Sequence, residues 1–330
     1  MKFKKVATLP AAIALAMSAG FASIANADIE LGEGLTVTGF VDMSFFYQDV
    51  DGASESEQLF GIDQVETNFI YQGANGISAQ VDIEYGESGN DDGQDETFVE
   101  QAFITKQFTD KFSVKAGRFL SYTGWETEEP TGLYQYSGTG YGGLFYGGYQ
   151  QGISGMYDGE VFDFMLSVVN DAFNPTNSDN ESMEIEVGIA VQPVEGLTAK
   201  LFYITDDGNE TDIINFWTSY EVSGLTLAFE YNTADYDASD EEADGFLLMA
   251  NYAAGNFGIT ARYSSYEVED SFGNSVENSA ITLAPSYIVS DNLALILEVR
   301  LDDDEVDAPV LFTDASIDTT SVALEALFTF

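Results

Sequence analysis

The chain has 330 residues, of which 57 are acidic and 10 basic, with no His and no Cys. Without His there is no Ser-His-Asp or Cys-His triad and no His-ligated zinc or iron centre. Without Cys there is no disulfide, thiol nucleophile or iron–sulfur cluster. A formal charge of −47 argues against nucleic acid as a partner, because phosphate recognition rests on Lys and Arg, while 14% aromatic residues argue against disorder.

Residues 1–27 predict an export signal. Lys2, Lys4 and Lys5 form a basic start, Val6 to about Met17 an apolar run, and Ala25-Asn26-Ala27 a small-residue cleavage site. The run is too short to span a membrane. Its removal leaves 57 acidic against 7 basic side chains on 303 residues, a folded and very acidic exported chain over 28–330.

From Leu35 onward apolar and polar residues alternate, the pattern of half-buried strands. Leu35, Val37, Val41, Met43, Phe45 and Tyr47 oppose Thr36, Thr38, Asp42, Ser44 and Gln48. The same period runs through 77–85 and 225–232 and ends with Val322, Leu324, Ala326, Phe328 and Phe330. Seven short turns fall near 73–76, 109–111, 158–159, 193–196, 222–224, 254–255 and 290–291. They alternate with eight longer loops near 49–60, 87–96, 123–148, 171–180, 206–210, 235–243, 267–275 and 303–316. Fifteen connections predict sixteen strands. An even count, with short turns at one end and long loops at the other, predicts an all-β fold. That fold is a closed transmembrane antiparallel barrel with short periplasmic turns and long extracellular loops.

With these features the chain resembles a Gram-negative outer-membrane porin over its whole mature length. The final strand ALFTF, ending in Phe330, is similar to the signal by which the barrel-assembly machinery recognises its clients. The stretch 117–152, GRFLSYTGWETEEPTGLYQYSGTGYGGLFYGGYQQG, resembles the corresponding region of a second β-barrel porin family. The resemblance implies outer-membrane localisation, contact with lipid and lipopolysaccharide, a homotrimer, and passage of small solutes.

The longest connection, 123–148, carries eight Gly and six aromatic residues: Trp125, Tyr134, Tyr136, Tyr141, Phe145 and Tyr146. So much aromatic surface is poorly placed in water and should pack inward. In porins that this chain resembles, the third long loop folds into the barrel and narrows it. An outer lid, or a patch against a neighbouring subunit, is the other placement open to it.

With the apolar phase of each strand facing lipid, the opposite phase faces an aqueous lumen. That phase holds Asp42, Glu66, Asp82, Glu84, Asp163, Glu184, Glu186, Glu230, Glu298 and Glu325, against Lys115, Lys200, Arg262 and Arg300. The excess of acids predicts cation preference. Arg118 breaks strict alternation, and a bulge at Gly117 would turn it into the lumen. Glu126, Glu128 and Glu129 of the loop would then face the bases Lys115 and Arg118 across a constriction. Alternatively each base neutralises a neighbouring carboxylate, as Arg300 would with Glu298. Strand 97–108 is mixed in both phases, and Lys106 fits either face.

The outer loops are crowded with acids, including Asp235, Asp237, Asp240, Glu241 and Glu242, and Asp302 to Glu305. They suit a solvated face, or divalent cations bridging to lipopolysaccharide, although no segment matches the twelve-residue calcium loop and no metal site is assigned. Neither a catalytic residue nor a cofactor is expected. Passive, water-filled diffusion of small hydrophilic solutes and ions with cation preference is the leading expectation. The alternatives are a channel selective for sugars or aromatic solutes, and a structural or adhesive barrel binding divalent cations and lipopolysaccharide.

Overall fold

The computed structural model describes residues 29–86, 96–126, 128–173, 183–206, 210–308 and 313–330. The export signal expected over 1–27 lies outside them. Period-two alternation leaves each strand with one apolar edge-on face, and sixteen such strands satisfy their backbones only by pairing around a ring. The ring runs β2 (Leu35–Val50), β3 (Glu57–Gln72), β4 (Ile77–Gly86), β5 (Glu96–Thr109), β6 (Phe112–Leu120), β7 (Tyr149–Asp158), β8 (Phe162–Val169) and β9 (Glu184–Val194). It continues through β10 (Leu197–Asp206), β11 (Thr211–Val222), β12 (Leu225–Tyr236), β13 (Glu241–Ala254), β14 (Phe257–Asp270), β15 (Ser275–Ser290), β16 (Leu293–Ala308) and β17 (Thr313–Thr329). Every neighbouring pair is antiparallel, and β17 closes on β2 from Thr319↔Val50 to Thr329↔Phe40.

A short arm, β1 (Ile29–Gly32), was not expected. It folds back on the start of β2, pairing Ile29 with Val37 and Glu30 with Thr36. β17 ends before it reaches that part of β2, so the arm covers backbone that would otherwise be a free edge. Between arm and last strand, Phe330 N donates to Gly39 O (2.9 Å) and Gly39 N to Phe330 O (2.8 Å). The approach leaves no room for a side chain: a Cβ on Gly39 would lie 2.3 Å from Glu66 O and 2.7 Å from the Phe330 ring. Gly39→Val should therefore obstruct closure. In a refolding assay read by heat-modifiable migration on gels, its folded fraction should fall well below that of the unaltered chain, and a normal yield would show that the seam tolerates the side chain.

The outward phase is apolar: Ile259, Tyr263, Ile281, Leu283, Leu297, Val299 and Leu301 are all exposed on neighbouring strands. Each such side chain is stabilised by about 1.5–3 kcal/mol when taken from water into an apolar phase, which lipid supplies here. The short turns fall where expected, but the acidic loops are shorter than the sequence suggests. The connections expected at 235–243, 267–275 and 303–316 are only 237–240, 271–274 and 309–312. Beyond the hydrocarbon both faces of a strand meet water, so alternation no longer marks the strand and the ladder continues through charged residues such as Asp302–Asp307.

Candidate functional site

Residues 121–148, between β6 and β7, turn into the barrel and cross it. They include one helical turn, α1 (Gly142–Phe145). The reason is apolar. On β10, β11 and β13 the inward phase is itself hydrophobic, with Phe202, Ile204, Ile213, Trp217, Leu247 and Met249 all buried. Trp125, Tyr134, Tyr141 and Phe145 of the loop pack on that wall in one cluster. Trp125 stacks with Tyr134 (centroids 6.3 Å apart, 9° between planes) and meets Trp217 edge-on at 5.3 Å. This side of the lumen is filled.

Polar anchors complete the docking, and each is a wall carboxylate or arginine aimed at loop backbone. Glu230 is fully buried and accepts from Trp125 N (2.8 Å), Asn215 Nδ2 (2.6 Å), Tyr141 OH (2.9 Å) and Tyr146 OH. Burial and the charge of Glu230 hold both tyrosines well above their usual range, so they remain donors. Glu186 accepts from Tyr122 N (3.0 Å), Ser121 Oγ (3.1 Å) and Gln150 Nε2 (2.6 Å). Arg262 pairs with Glu126 at 2.5 Å, with side-chain exposures of 0% and 6%, and also donates to Ser137 O and Gly138 O. Glu298 accepts from Ser137 N (3.0 Å). Arg300 donates to Gly138 O, to Thr139 O (3.1 Å) and to Asp302.

On the opposite side the loop meets β2 and β3 at Tyr136 with Ser44 (3.2 Å) and Glu129 with Gln64 (3.0 Å) and leaves space between these contacts. A cavity of about 420 Å³ lies between it and β2–β3, lined by Asp42, Asp63, Gln64, Glu126, Glu128 and Tyr136 among others, with no basic residue in its lining. Asp42 and Asp63 are close neighbours of each other and of Glu325 on β17. Deeper in the wall, carboxylate oxygens of Glu66, Glu100 and Glu129 lie within 4.8 Å of one another. Glu84 and Glu128 flank them. Asp82 accepts from Gln80 and Gln101 (2.8 and 2.7 Å).

Asp63 and Glu100 were not among the residues singled out from the sequence. Each is the extra residue of a bulge: Asp42 pairs with Gln64 but Met43 with Ile62, and Asp82 pairs with Gln101 but Ile83 with Val99. A bulge shifts the phase by one, which brings an acid inward where alternation would not. A signal exists: outward apolar residues change from even (Phe60, Ile62) to odd (Val65, Phe69, Tyr71) across Asp63, and from odd (Val99) to even (Ile104, Phe108) across Glu100.

Three expectations about the bases are corrected. No bulge occurs at Gly117: Phe103, Gly117 and Gly152 pair without a shift, and the irregularity is a φ of 136°. A Cβ there would lie 2.2 Å from Ala102 O, which only Gly tolerates. Nor does Glu126 face Lys115 and Arg118. Glu126 is taken by Arg262, while Glu128 lies near Glu84, and Glu129 lies near Glu100 and accepts from Tyr149, the ring beside Arg118. Lys115 sits among Phe103, Tyr122 and Phe119, with Nζ 4.6, 4.9 and 5.3 Å from the ring centres. Arg118 lies 5.9 Å from the Tyr149 ring. Arg300 pairs with Asp302 rather than Glu298, because Glu298 is occupied by the loop. Lys200 is buried against Trp217 (4.6 Å), beside Asp163. Lys106 belongs to the outward phase, opposite Ile77, and reaches the carbonyl of Asn75 in the first short turn. Glu184 opens β9 and accepts from the N–H of Ala172, whose carbonyl accepts from Gly148 N at the end of the crossing loop.

Glu129 gives the loop a pH dependence. It accepts from Gln64 Nε2 (3.0 Å) and Tyr149 OH (3.1 Å), and burial, then the charge of Glu100, push its carboxyl from 4.5 up to about 8. The folded chain keeps this proton where the unfolded chain has lost it, so docking weakens as pH rises from 4.5 to about 8. Cation preference in a planar bilayer should rise between about pH 6 and about pH 9 as the charge appears. Glu129→Gln should remove that step; an identical step in the variant would assign it to another group.

The model of the Gram-negative porin family matches residues 11–307. No curated protein matches the sequence. Among solved structures the fold is similar to OmpF of Salmonella typhi in complex with daunomycin (TM-score 0.66, 14% identity, covering 92% of this chain and 100% of that one). It is also similar to the anion-selective porin from Comamonas acidovorans (0.62, 16%, 90% and 99%). A third similar structure is the trimer form of OmpT from Vibrio cholerae (0.63, 13%, 90% and 100%). A closed sixteen-stranded barrel with a family match over nearly its whole length makes this chain a member of the Gram-negative porin family, a channel protein of the outer membrane.

Proposed function

We propose that this porin passes small hydrophilic solutes and inorganic ions passively, with a preference for cations. The observation that supports it is the cavity between loop and β2–β3, lined by Asp42, Asp63, Glu126 and Glu128 and by no base. The mechanism is size exclusion by the loop of 121–148 together with electrostatics of the lining, without covalent chemistry. Walls of low dielectric concentrate the field of these carboxylates on whatever enters. Trp125, Tyr134, Tyr141 and Phe145 are committed to docking, so stacking on sugars or aromatic solutes gains no support from them.

Assembly as a homotrimer is part of the same proposal, by analogy with the OmpT trimer form, and Phe330 at the closing seam is the element offered to the assembly machinery. The deciding experiment is conductance of the refolded mature barrel in a planar bilayer under a KCl gradient. Discrete steps with a cation-selective reversal potential are expected. Anion selectivity would refute the charge assignment, and a folded protein without steps would favour a structural barrel.

A further inference from the structure

Two aromatic rings of the lumen stand outside the docking cluster. Phe46 follows Asp42 and Ser44 in the inward phase of β2 and meets Tyr136 of the crossing loop, with 6.3 Å between ring centres. Both residues are half-buried, and Tyr136 lines the cavity of about 420 Å³ between loop and wall. Its hydroxyl is fixed. Ser44 Oγ donates to the Asp63 carboxylate, which leaves it to accept from Tyr136 OH (3.2 Å). The carboxylates of Asp63, Asp42 and Glu325 are the charges that act on that hydroxyl.

The cavity thus combines carboxylates with aromatic and aliphatic surface, and its lining holds no base. Pro130 and Leu133 add to the apolar part, and Asp42, Asp63 and Glu128 form the acidic part. Arg262 and Arg300 are held by Glu126, Asp302 and loop carbonyls. The volume falls among those of small-molecule sites, about 300–1,000 Å³. An inorganic ion keeps its hydration shell and gains little from aromatic surface, and a neutral sugar would use the rings but not the charge. An alkylated ammonium ion uses both. Its charge is spread over alkyl groups, it is weakly hydrated, and ring faces attract it within about 6 Å of their centres.

We propose that the passage recognises small organic ammonium ions, with Tyr136 and Phe46 against the alkyl groups and Asp42 and Asp63 beside the charge. The inference rests on the cation-preferring passage proposed above and names the solute class that this passage favours. The parts come from different elements. Tyr136 is supplied by the crossing loop, Phe46 and Asp42 by β2, and Asp63 by the bulge of β3, so the site is complete only with the loop docked. Phe46 lies nearer the long-loop end than Asp42 by about 13 Å at the rise of a strand. An ion entering from that end therefore meets the Phe46 ring before it reaches Asp42 and Asp63.

The test is conductance of the refolded mature barrel in a planar bilayer, in KCl at constant ionic strength, with tetramethylammonium chloride added on one side. The K⁺ current should fall along a saturating curve, with half-block at millimolar concentration. Ammonium chloride, which has the charge without alkyl groups, and tert-butyl alcohol, which has the alkyl groups without the charge, should not reproduce the block. Tyr136→Leu and Phe46→Leu, which keep apolar bulk and remove a ring, should each raise the half-blocking concentration several-fold. Phe60→Leu, on the lipid face of β3, should leave it unchanged. Heat-modifiable migration reports whether each variant is folded. Should both ring variants misfold, the three probes on the unaltered channel decide. A cation-selective channel on which tetramethylammonium acts no more strongly than ammonium or the alcohol would overturn the inference and leave the cation reading standing. Undiminished block in the folded ring variants would do the same. An anion-selective reversal potential in KCl alone would instead remove that reading, and the inference with it.

Discussion

Replacing residues 130–144 by a short Gly-Ser linker should raise single-channel conductance several-fold. The ring of strands does not depend on that segment, since every ladder from β2 to β17 is closed by strand–strand pairing. The barrel should therefore fold, but it should be less stable. Ile204, Ile213 and Leu247, each at 0% exposure beneath the loop, would face water at about 25 cal/mol per Å² of apolar surface. A point variant separates docking from bulk. Glu126→Gln leaves the Arg262 guanidinium at 0% exposure without its carboxylate, and breaking a buried pair by removing one partner costs about 3–5 kcal/mol. Its channel should open intermittently to a higher level, whereas Glu230→Gln, which retains an acceptor for Trp125 N, should disturb the loop less. Conductance unchanged by the linker would place the resistance of the pore elsewhere than at 121–148.

The ring could be read from the chain because its two causes are local: period-two alternation and turn residues. The turn at 223–224 and the strands beside it need only about a dozen residues to be recognised. The arm β1 could not be read, since four residues carry no period and its role depends on where β17 stops. Strand ends above the membrane were also hidden. Asp302 to Asp307 look like loop by composition, yet they stay in the ladder because water solvates both of their faces.

The interior was legible where alternation holds and lost where it slips. Asp42, Glu66, Glu230 and Glu298 follow from phase alone. Asp63 and Glu100 do not, because a one-residue bulge reverses the face of everything beyond it. The mixed phases of 97–108 were this bulge seen without its partner strand. Pairing of charges was less accessible still. That Glu126 takes Arg262 from a residue 136 positions away depends on how a loop of 28 residues lies across the ring. Nothing in local sequence spacing encodes that. The hydrophobic inward phase of β10–β13 was the one local sign of it: Phe202, Ile204 and Ile213 would be wasted on an open aqueous wall, and so announce that something covers them.

The triple variant Asp42→Asn, Asp63→Asn, Glu128→Gln should move the reversal potential of the channel in a KCl gradient strongly toward zero. These three acids line the cavity between loop and wall, and the fourth, Glu126, is already paired with Arg262. Removing them leaves Glu126, paired with Arg262, as the one carboxylate in the cavity lining. Distance decides the comparison. Two unit charges 4 Å apart interact by about 4 kcal/mol at an effective dielectric of 20 and about 1 kcal/mol in bulk water. Charges on the outer rim are further attenuated beyond about 8 Å at physiological salt. Neutralising Asp240, Glu241 and Glu242 at the β12–β13 end, which removes as many charges, should therefore shift the potential far less. If instead the rim variant were the stronger of the two, ion choice would be made by accumulation at the mouth, and the narrow passage would act on size alone.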